Sequence, residues 1–399
     1  MKYRIAPIDP IISRDARSFG AGSPMHPLKW LSPTLIAGAV RTKLWKENRN
    51  SNDRYVLDAL LNVKVSGAFP IVNEKIYFPR PFDIIVSSKK GSGFNVWKIR
   101  PMNTFPENSG TNMPLKGLMP SVPDTEDDFK PEKLSDFWNT ELFIRWLKDE
   151  KPFTFEDNNK CKLSANVNKS NDGKDIFEDD TFSAPQHDER VHVYINPKTG
   201  ASLEGKLFST TGLDFISKDN KTLNRQEISI DINDENSPLA HKNFEKFITP
   251  LGGERRLAEF SKHDGDKKLW DYPKELSQKF SVGNNKIRLV LATPAMFDKG
   301  WCPDWLDVNN DAVIGKIPNT DVTVKLISAV TERWQPVSGW NYSGRKGPKP
   351  MRRAVPAGSV YFFEIIDGKL NPSEIWLKSI CCNKQDIHDG FGLVLVGKW

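Results

Sequence analysis

The chain has 399 residues, 38% hydrophobic and 27% charged, and its 57 lysines and arginines against 51 acids leave a formal charge of +6. That length suggests two or three domains, and so mild a basic excess permits nucleic-acid binding without demanding it. No apolar run approaches the roughly 20 residues of a membrane helix, and the opening MKYRIAPIDP lacks a signal peptide's apolar stretch, so no membrane association and a cytoplasmic setting are expected.

In chain order, residues 2–8 read as a strand, with Tyr3 and Ile5 on one face. A loop containing Gly, Ser and Pro follows to residue 31. Ser32 is then a good N-cap with Pro33 at the first helical position. Leu35, Ile36, Ala39, Val40 and Leu44 recur at helical spacing, and Arg41 and Lys46 fall off that stripe. Residues 62–69 and 75–86 read as further strands. From 89 to 185 the pattern degrades, punctuated by Pro101, Pro106, Pro114, Pro120, Pro123 and Pro131. One helix stands out there, at 140–148, with Leu142, Phe143, Trp146 and Leu147 on one face. The region reads as an insertion, mobile around residues 171–180. Residues 189–195 alternate as a strand, 243–248 read as a short helix, and 255–260 as a strand after Gly252 and Gly253. The second half repeats the theme. Ile287, Leu289 and Leu291 define one strand, and Val322, Val324, Leu326, Ser328 and Val330 a longer one. Short helices are expected near 303–306 and 373–380, and strands at 359–366 and 393–396.

The most informative segment is VSGWNYSGRKGPKPMRRAVPAGSVYFFEI, residues 337–365. Arg345, Lys346, Lys349, Arg352 and Arg353 stand together with no acid before Glu364, beside Trp340 and Tyr342. That many charges are too costly to bury unpaired. Cations with flat aromatic surfaces suit a single-stranded nucleic acid, since every nucleotide offers a phosphate and every base a π-face. A solvated basic turn is an equally good reading on these residues alone.

Other signals are weaker. Ser32, Thr34 and the free N–H groups at the helix start are able to hold a phosphate, with Arg14 and Arg17 adding charge from the preceding loop; a plain cap explains Ser32 as well. Gly390 and Gly392 allow close backbone approach, either for an anion nest or for packing against a neighbour. Alternation in a strand would put Arg255 and Arg256 on opposite faces, so that at most one of them meets RNA. The six histidines are scattered. His187 and His192 lie five apart on a strand and face opposite ways. No Walker motif, nucleophile elbow or paired-carboxylate signature occurs. The four cysteines, Cys161, Cys302, Cys381 and Cys382, lack the spacing of a zinc site or disulfide framework. Neither a metal nor a cofactor is expected.

The cationic segment, as SGW…G…PKPMRRAVPAGSVYFFE, resembles the subunit-three family of the Cmr complex, a type III-B CRISPR effector, within the RAMP superfamily of RNA-binding proteins. IAPIDPIISRDARSF (5–19), SPTLIAGAVRTKLW (32–45), YFPRPFDI (77–84), ERVHVYINPKTGASLEGKLFST (189–210), LGGERRLAEF (251–260), LVLATPAMFDKGWCPDWL (289–306) and DGFGLVLVGKW (389–399) are similar to it in the same order. The last resembles the RAMP glycine-rich loop. Residues 89–185 match poorly. The resemblance implies an α+β protein of two ferredoxin-like (RRM-like) βαββαβ folds with a large insertion in the first. The halves would be 1–265, with the insertion at about 89–185, and 266–399.

It further implies a non-catalytic subunit that grips the 5′ handle of the guide crRNA. The implied partners are the large polymerase-like subunit and a backbone RAMP subunit, with target RNA met indirectly through guide pairing. The RNA-binding residues expected on this basis are Arg14, Arg17, Ser32, Thr34, Arg41, Arg255, Trp340, Arg345, Lys349, Arg352, Arg353, Gly390 and Gly392. A protruding hairpin that kinks the guide is also implied, with 89–119 as a candidate. Two other functions stand beside this one. His26 occupies the first loop, where some RAMP endoribonucleases carry a catalytic histidine that would process precursor crRNA. A protein–protein scaffold without RNA contact is the other.

Overall fold

The computed structural model describes residues 1–17, 25–47, 59–88, 94–125, 128–149, 180–219, 222–233, 244–277, 285–309, 312–341 and 347–399. It is a mixed α/β structure of antiparallel sheets with few helices. Strand β1 (Lys2–Pro7) leads by a long loop to helix α1 (Pro33–Glu47) and then to β2 (Lys64–Val72). Strands β3 (Glu227–Asn233) and β4 (Leu257–Lys262) complete the centre of an eight-stranded sheet in the order β4-β1-β3-β2. Tyr3 pairs with Ile230 and Lys262, and Ile5 with Ile228 and Phe260. This register stacks apolar side chains on one face, where Ile36, Ala39, Val40 and Leu44 of α1 seal them. At roughly 25 cal/mol per Å² of apolar surface removed from water, this burial drives the packing. On the opposite face Arg4 is also buried, and Asp266 and Glu74 satisfy it at 2.5–2.9 Å. A charge in a central strand needs such partners.

The second half builds a six-stranded sheet on β5 (Lys286–Leu291), β6 (Thr323–Val330), β7 (Val360–Asp367) and β8 (Val394–Lys398), in the order β8-β5-β7-β6. The strand order is the same as in the first half. Leu289 pairs with both Tyr361 and Val396, and all three are fully buried.

The connection from β2 to β3 runs through residues 73–226, longer than the expected insertion at 89–185. It is not a mere appendage. Its helix α2 (Thr140–Leu147) has Asn139 as N-cap, accepting from the Leu142 N–H. Leu142, Phe143, Trp146 and Leu147 are buried and join the core of the second half. Leu147 packs so closely on Gly397 of β8 that a Cβ there would come within 2.7 Å. Two buried charges lock this wedge, for Asp83 pairs with Arg288 of β5 and accepts from Trp146 Nε1 at 2.7 Å. The expected mobile stretch lies almost entirely outside the described residues.

Four local expectations fail. Residues 246–250 form the edge strand Lys246–Pro250 rather than a helix, with Phe247 and Thr249 inward and Lys246 and Ile248 outward. The spacing of Phe244, Phe247 and Ile248 also fits a helix, and pairing with β4 decides. The 75–86 strand is broken after Lys75–Pro79, at Arg80 and Pro81. The region near 303–306 is a turn leading into the strand Leu306–Asn309. The helix near 373–380 is the single turn Pro372–Ile375, stopped before Leu377, whose φ is +51°. Sequence reading also missed helix α3 (Lys384–Asp389), capped by Asn383 and ended by Gly390 at φ +91°. Among the described residues no helix is long and apolar enough to cross a membrane.

Candidate nucleic-acid interface

The loop leaving β1 is a meeting point for three other elements. Ile11 and Leu213 exchange backbone hydrogen bonds at 2.9 and 2.8 Å. Gly253 donates to the Ile12 carbonyl at 3.0 Å. Gly252, at φ +81°, presses so closely that a Cβ would lie 2.5 Å from that carbonyl oxygen, so only glycine fits the turn. Ala16 donates to the Pro336 carbonyl at 3.3 Å. Pro336 belongs to the strand Gln335–Val337, the edge of a three-stranded sheet whose centre is Arg352–Val355. The cations of residues 14–17, of the turn near 255 and of the strand at 352–353 are therefore carried by elements bonded to one loop.

Their side chains differ in freedom. Arg14 is exposed and donates to the Arg17 carbonyl at 2.9 Å. Arg17 is exposed and folds onto the buried Asp15 at 2.6 Å. Arg255 is exposed and has no ion-pair partner among the described residues, whereas Arg256 pairs with Glu254 at 3.2 Å. The two arginines are not on opposite faces of a strand. Gly253–Arg255 is a tight turn with Glu254 and Arg255 both at φ +55°, and β4 begins only at Leu257. Arg352 is held by Asp386 through two bonds of 2.6 and 2.8 Å, which keep its guanidinium firmly charged. Arg353 is exposed and lies 4.8 Å over the ring of Trp334. Trp340 is 55% exposed, on a short ladder of Trp340–Asn341 with Gly347–Pro348. Lys349 is exposed, and its backbone is fixed by Gly339 and Ser338 at 2.8 and 2.6 Å. Arg345, with Tyr342 and Lys346, lies outside the described residues.

Other expected residues fall elsewhere. Arg41 turns inward, bonding Asp389 at 2.5 Å, the Val63 carbonyl at 2.9 Å and the His388 carbonyl at 3.2 Å. It clips α1 to α3, so its charge is spent within the fold. Gly390 and Gly392 are buried, Gly390 against β2 of the first half and Gly392 within the second half. A Cβ on Gly390 would lie 2.4 Å from the Val65 carbonyl oxygen, and one on Gly392 2.6 Å from Cys381 Sγ. Their glycine character serves packing, and no open anion nest is formed. Ser32 and Thr34 are half-buried and bond each other at 2.9 Å.

Two features were missed. Trp334 is the platform under Arg353; its only sequence signal is its place four residues before the SGW motif. The second is a long hairpin, Gln186–Ile195 with Ser202–Asp214, rooted where Leu213 meets Ile11. Val191, 68% exposed, and Leu207, 61% exposed, lie on one face beside Val193. In contrast, the described part of 89–119 includes the strand Phe94–Pro101, which pairs with Ile84–Ser88, and Leu118 lies in the core.

His26 offers its carbonyl to the Asp15 N–H at 2.9 Å, and its ring makes no hydrogen bond among the described residues. Among those residues no group of three His, Cys, Asp or Glu side chains is arranged to hold a metal.

A family model described as CRISPR-associated protein (Cas_Cmr3) matches residues 3–399. No curated protein matches the chain. Among solved structures, it is similar at 15% identity to a chain of the cryo-EM structure of the type III-B Cmr-beta bound to cognate target RNA and AMPPnP, with a TM-score of 0.46, covering 91% of this chain and 86% of that one. The Cmr-beta structure bound to cognate target RNA gives 14% identity and 0.45, with the same coverage. A chain of the Csm3-Csm4 subcomplex in the type III-A CRISPR-Cas interference complex gives 12% and 0.36, covering 93% of this chain and 100% of that one.

Proposed function

The chain belongs to the Cas_Cmr3 family of CRISPR-associated proteins, and from that membership we propose that it is a non-catalytic RNA-binding subunit of a type III-B CRISPR effector in the cytoplasm. It grips the single-stranded 5′ handle of the guide crRNA and docks the large polymerase-like subunit and a backbone RAMP subunit. Target RNA is met indirectly, because base pairing with the guide reads its sequence. The observation that carries the reading is the Ala16–Pro336 contact, which joins the cationic loop of the first half to the cationic sheet of the second.

Among the described residues, Arg14, Arg17, Arg255, Lys349 and Arg353 are exposed cations of this surface; Arg345 lies outside the described residues and is assigned to it on sequence alone. Trp340 and Trp334 offer faces for bases, which single-stranded RNA can splay out. Arg352 is positioned by Asp386 beside them. We assign Ser32 and Thr34, half-buried at the start of α1, to the same surface. We read β4-β1-β3-β2 and β8-β5-β7-β6 as two ferredoxin-like folds, within 1–265 and 266–399. The guide-kinking element is the exposed 186–214 hairpin.

Phosphate contacts make binding salt-dependent, with a slope of about −0.7 per contact on single strands. Replacing Arg353 with Gln is expected to flatten the slope by about one contact, with the melting temperature unchanged. An unaltered slope contradicts the assignment.

A further inference from the structure

Arg80 sits in the break between the strands Lys75–Pro79 and Ile84–Ser88. Its backbone is fixed from two sides. The Arg80 N–H donates to the Asp136 carbonyl at 2.9 Å, and the Phe82 N–H to the Gly358 carbonyl at 2.8 Å. Gly358, at φ +93°, approaches so closely that a Cβ would lie 2.4 Å from the Arg80 carbonyl oxygen. Gly358 lies three residues beyond the end of the Arg352–Val355 strand, so Arg80 abuts that end of the cationic sheet.

The side chain is poorly satisfied for a half-buried guanidinium. Among the described residues it donates one long bond, 3.5 Å to the Pro81 carbonyl, and Nε is buried without an acceptor. Phe82 lies 5.8 Å away, ring to guanidinium. Glu332, Asp136 and Asp83 are the nearby acids, and none is within ion-pair distance. Asp83 is taken by Arg288 and Trp146, and Asp136 accepts from the Ala184 N–H at 3.0 Å. Burial outweighs these acids and pulls the guanidinium below its ordinary pKa. Arginine does not discharge in proteins, so the charge persists with most of its donors unused. A desolvated cation in that state gains most from an oxyanion, which takes two parallel N–H···O bonds.

We propose that Arg80 is a phosphate seat at the junction of the two halves, receiving one phosphodiester of the single-stranded RNA bound on the adjoining cationic sheet. This rests on the RNA-binding reading above. It adds a half-buried contact in the seam beside the exposed cations of the surface patch.

The test compares wild-type full-length chain with Arg80→Gln, Arg80→Lys and Arg353→Gln, using a mixed-sequence single-stranded RNA over a salt series. Arg80→Gln is expected to weaken binding roughly tenfold and to reduce the slope by about 0.7. Arg80→Lys keeps the slope but binds less tightly, for it lacks the planar fork. Without RNA, Arg80→Gln melts at or above the wild-type temperature, since it removes a half-buried cation that has no ion-pair partner among the described residues. A lower melting temperature with unchanged slope makes Arg80 structural and overturns the proposal. If Arg353→Gln flattens the slope and Arg80→Gln does not, the RNA reading stands and the seat fails. If wild type shows no salt-dependent binding, both fail.

Discussion

Arg41 and Arg353 look alike in the sequence, each a cation in a basic stretch. Their partners separate them. Arg41 meets Asp389 at the end of α3, whereas Arg353 faces outward over Trp334. Charge runs are legible from sequence, but whether each charge is spent internally depends on tertiary partners more than 300 residues away. His388 shows the same dependence. Its Nδ1 lies 3.0 Å from the Leu61 carbonyl. Burial lowers its pKa below 6.5; the bond to Leu61 opposes this, and Lys384, Arg41 and Lys64 add to the lowering. A folded pKa below the unfolded value means stability that is present above about pH 6.5 and is lost as pH falls through the folded value. Melting between pH 7.5 and 5 should therefore decline more steeply for wild type than for His388→Gln. Parallel curves would show that His388 contributes nothing to acid sensitivity.

At the level of elements, strongly periodic segments were readable. β1, α1, β6 and β7 lie close to where alternation or helical spacing put them, and α2 within a residue or so. Helix α3 was legible in principle, because Asn383 and Gly390 are ordinary start and stop residues, but its six residues carry too little apolar pattern to stand out. The hairpin at 186–214 failed differently. Its first strand was identified, but a single strand does not say that both of its faces are solvated. That exposure yields a prediction. Replacing the outer part of the hairpin, residues 190–208, by a short turn should leave the melting temperature unchanged, since little of it is buried. Nuclease footprinting of the guide should then show a shifted register beside the handle. An unshifted footprint would remove the guide-kinking role from this hairpin.

For the whole molecule, the duplicated strand order could not be read from the pattern, because nothing in the sequence repeats between the halves. Residues 73–226 separate two neighbouring strands, and their wedge of Trp138, Trp146 and Leu147 welds the halves into a shared core. Proline-rich stretches do not announce such packing. What the sequence did show was the cationic segment at 337–365 and its aromatic neighbours; what it hid was that Ala16, in the loop leaving β1, bonds Pro336 of the strand paired with Arg352–Val355. The RNA interface stands on that juxtaposition. Its most direct test is UV crosslinking with peptide mapping, using the complex assembled on guide crRNA. Crosslinks from the 5′ handle to peptides spanning both 14–34 and 334–353 are expected. A handle that crosslinks wholly to another subunit would contradict the account and leave this chain a structural adaptor.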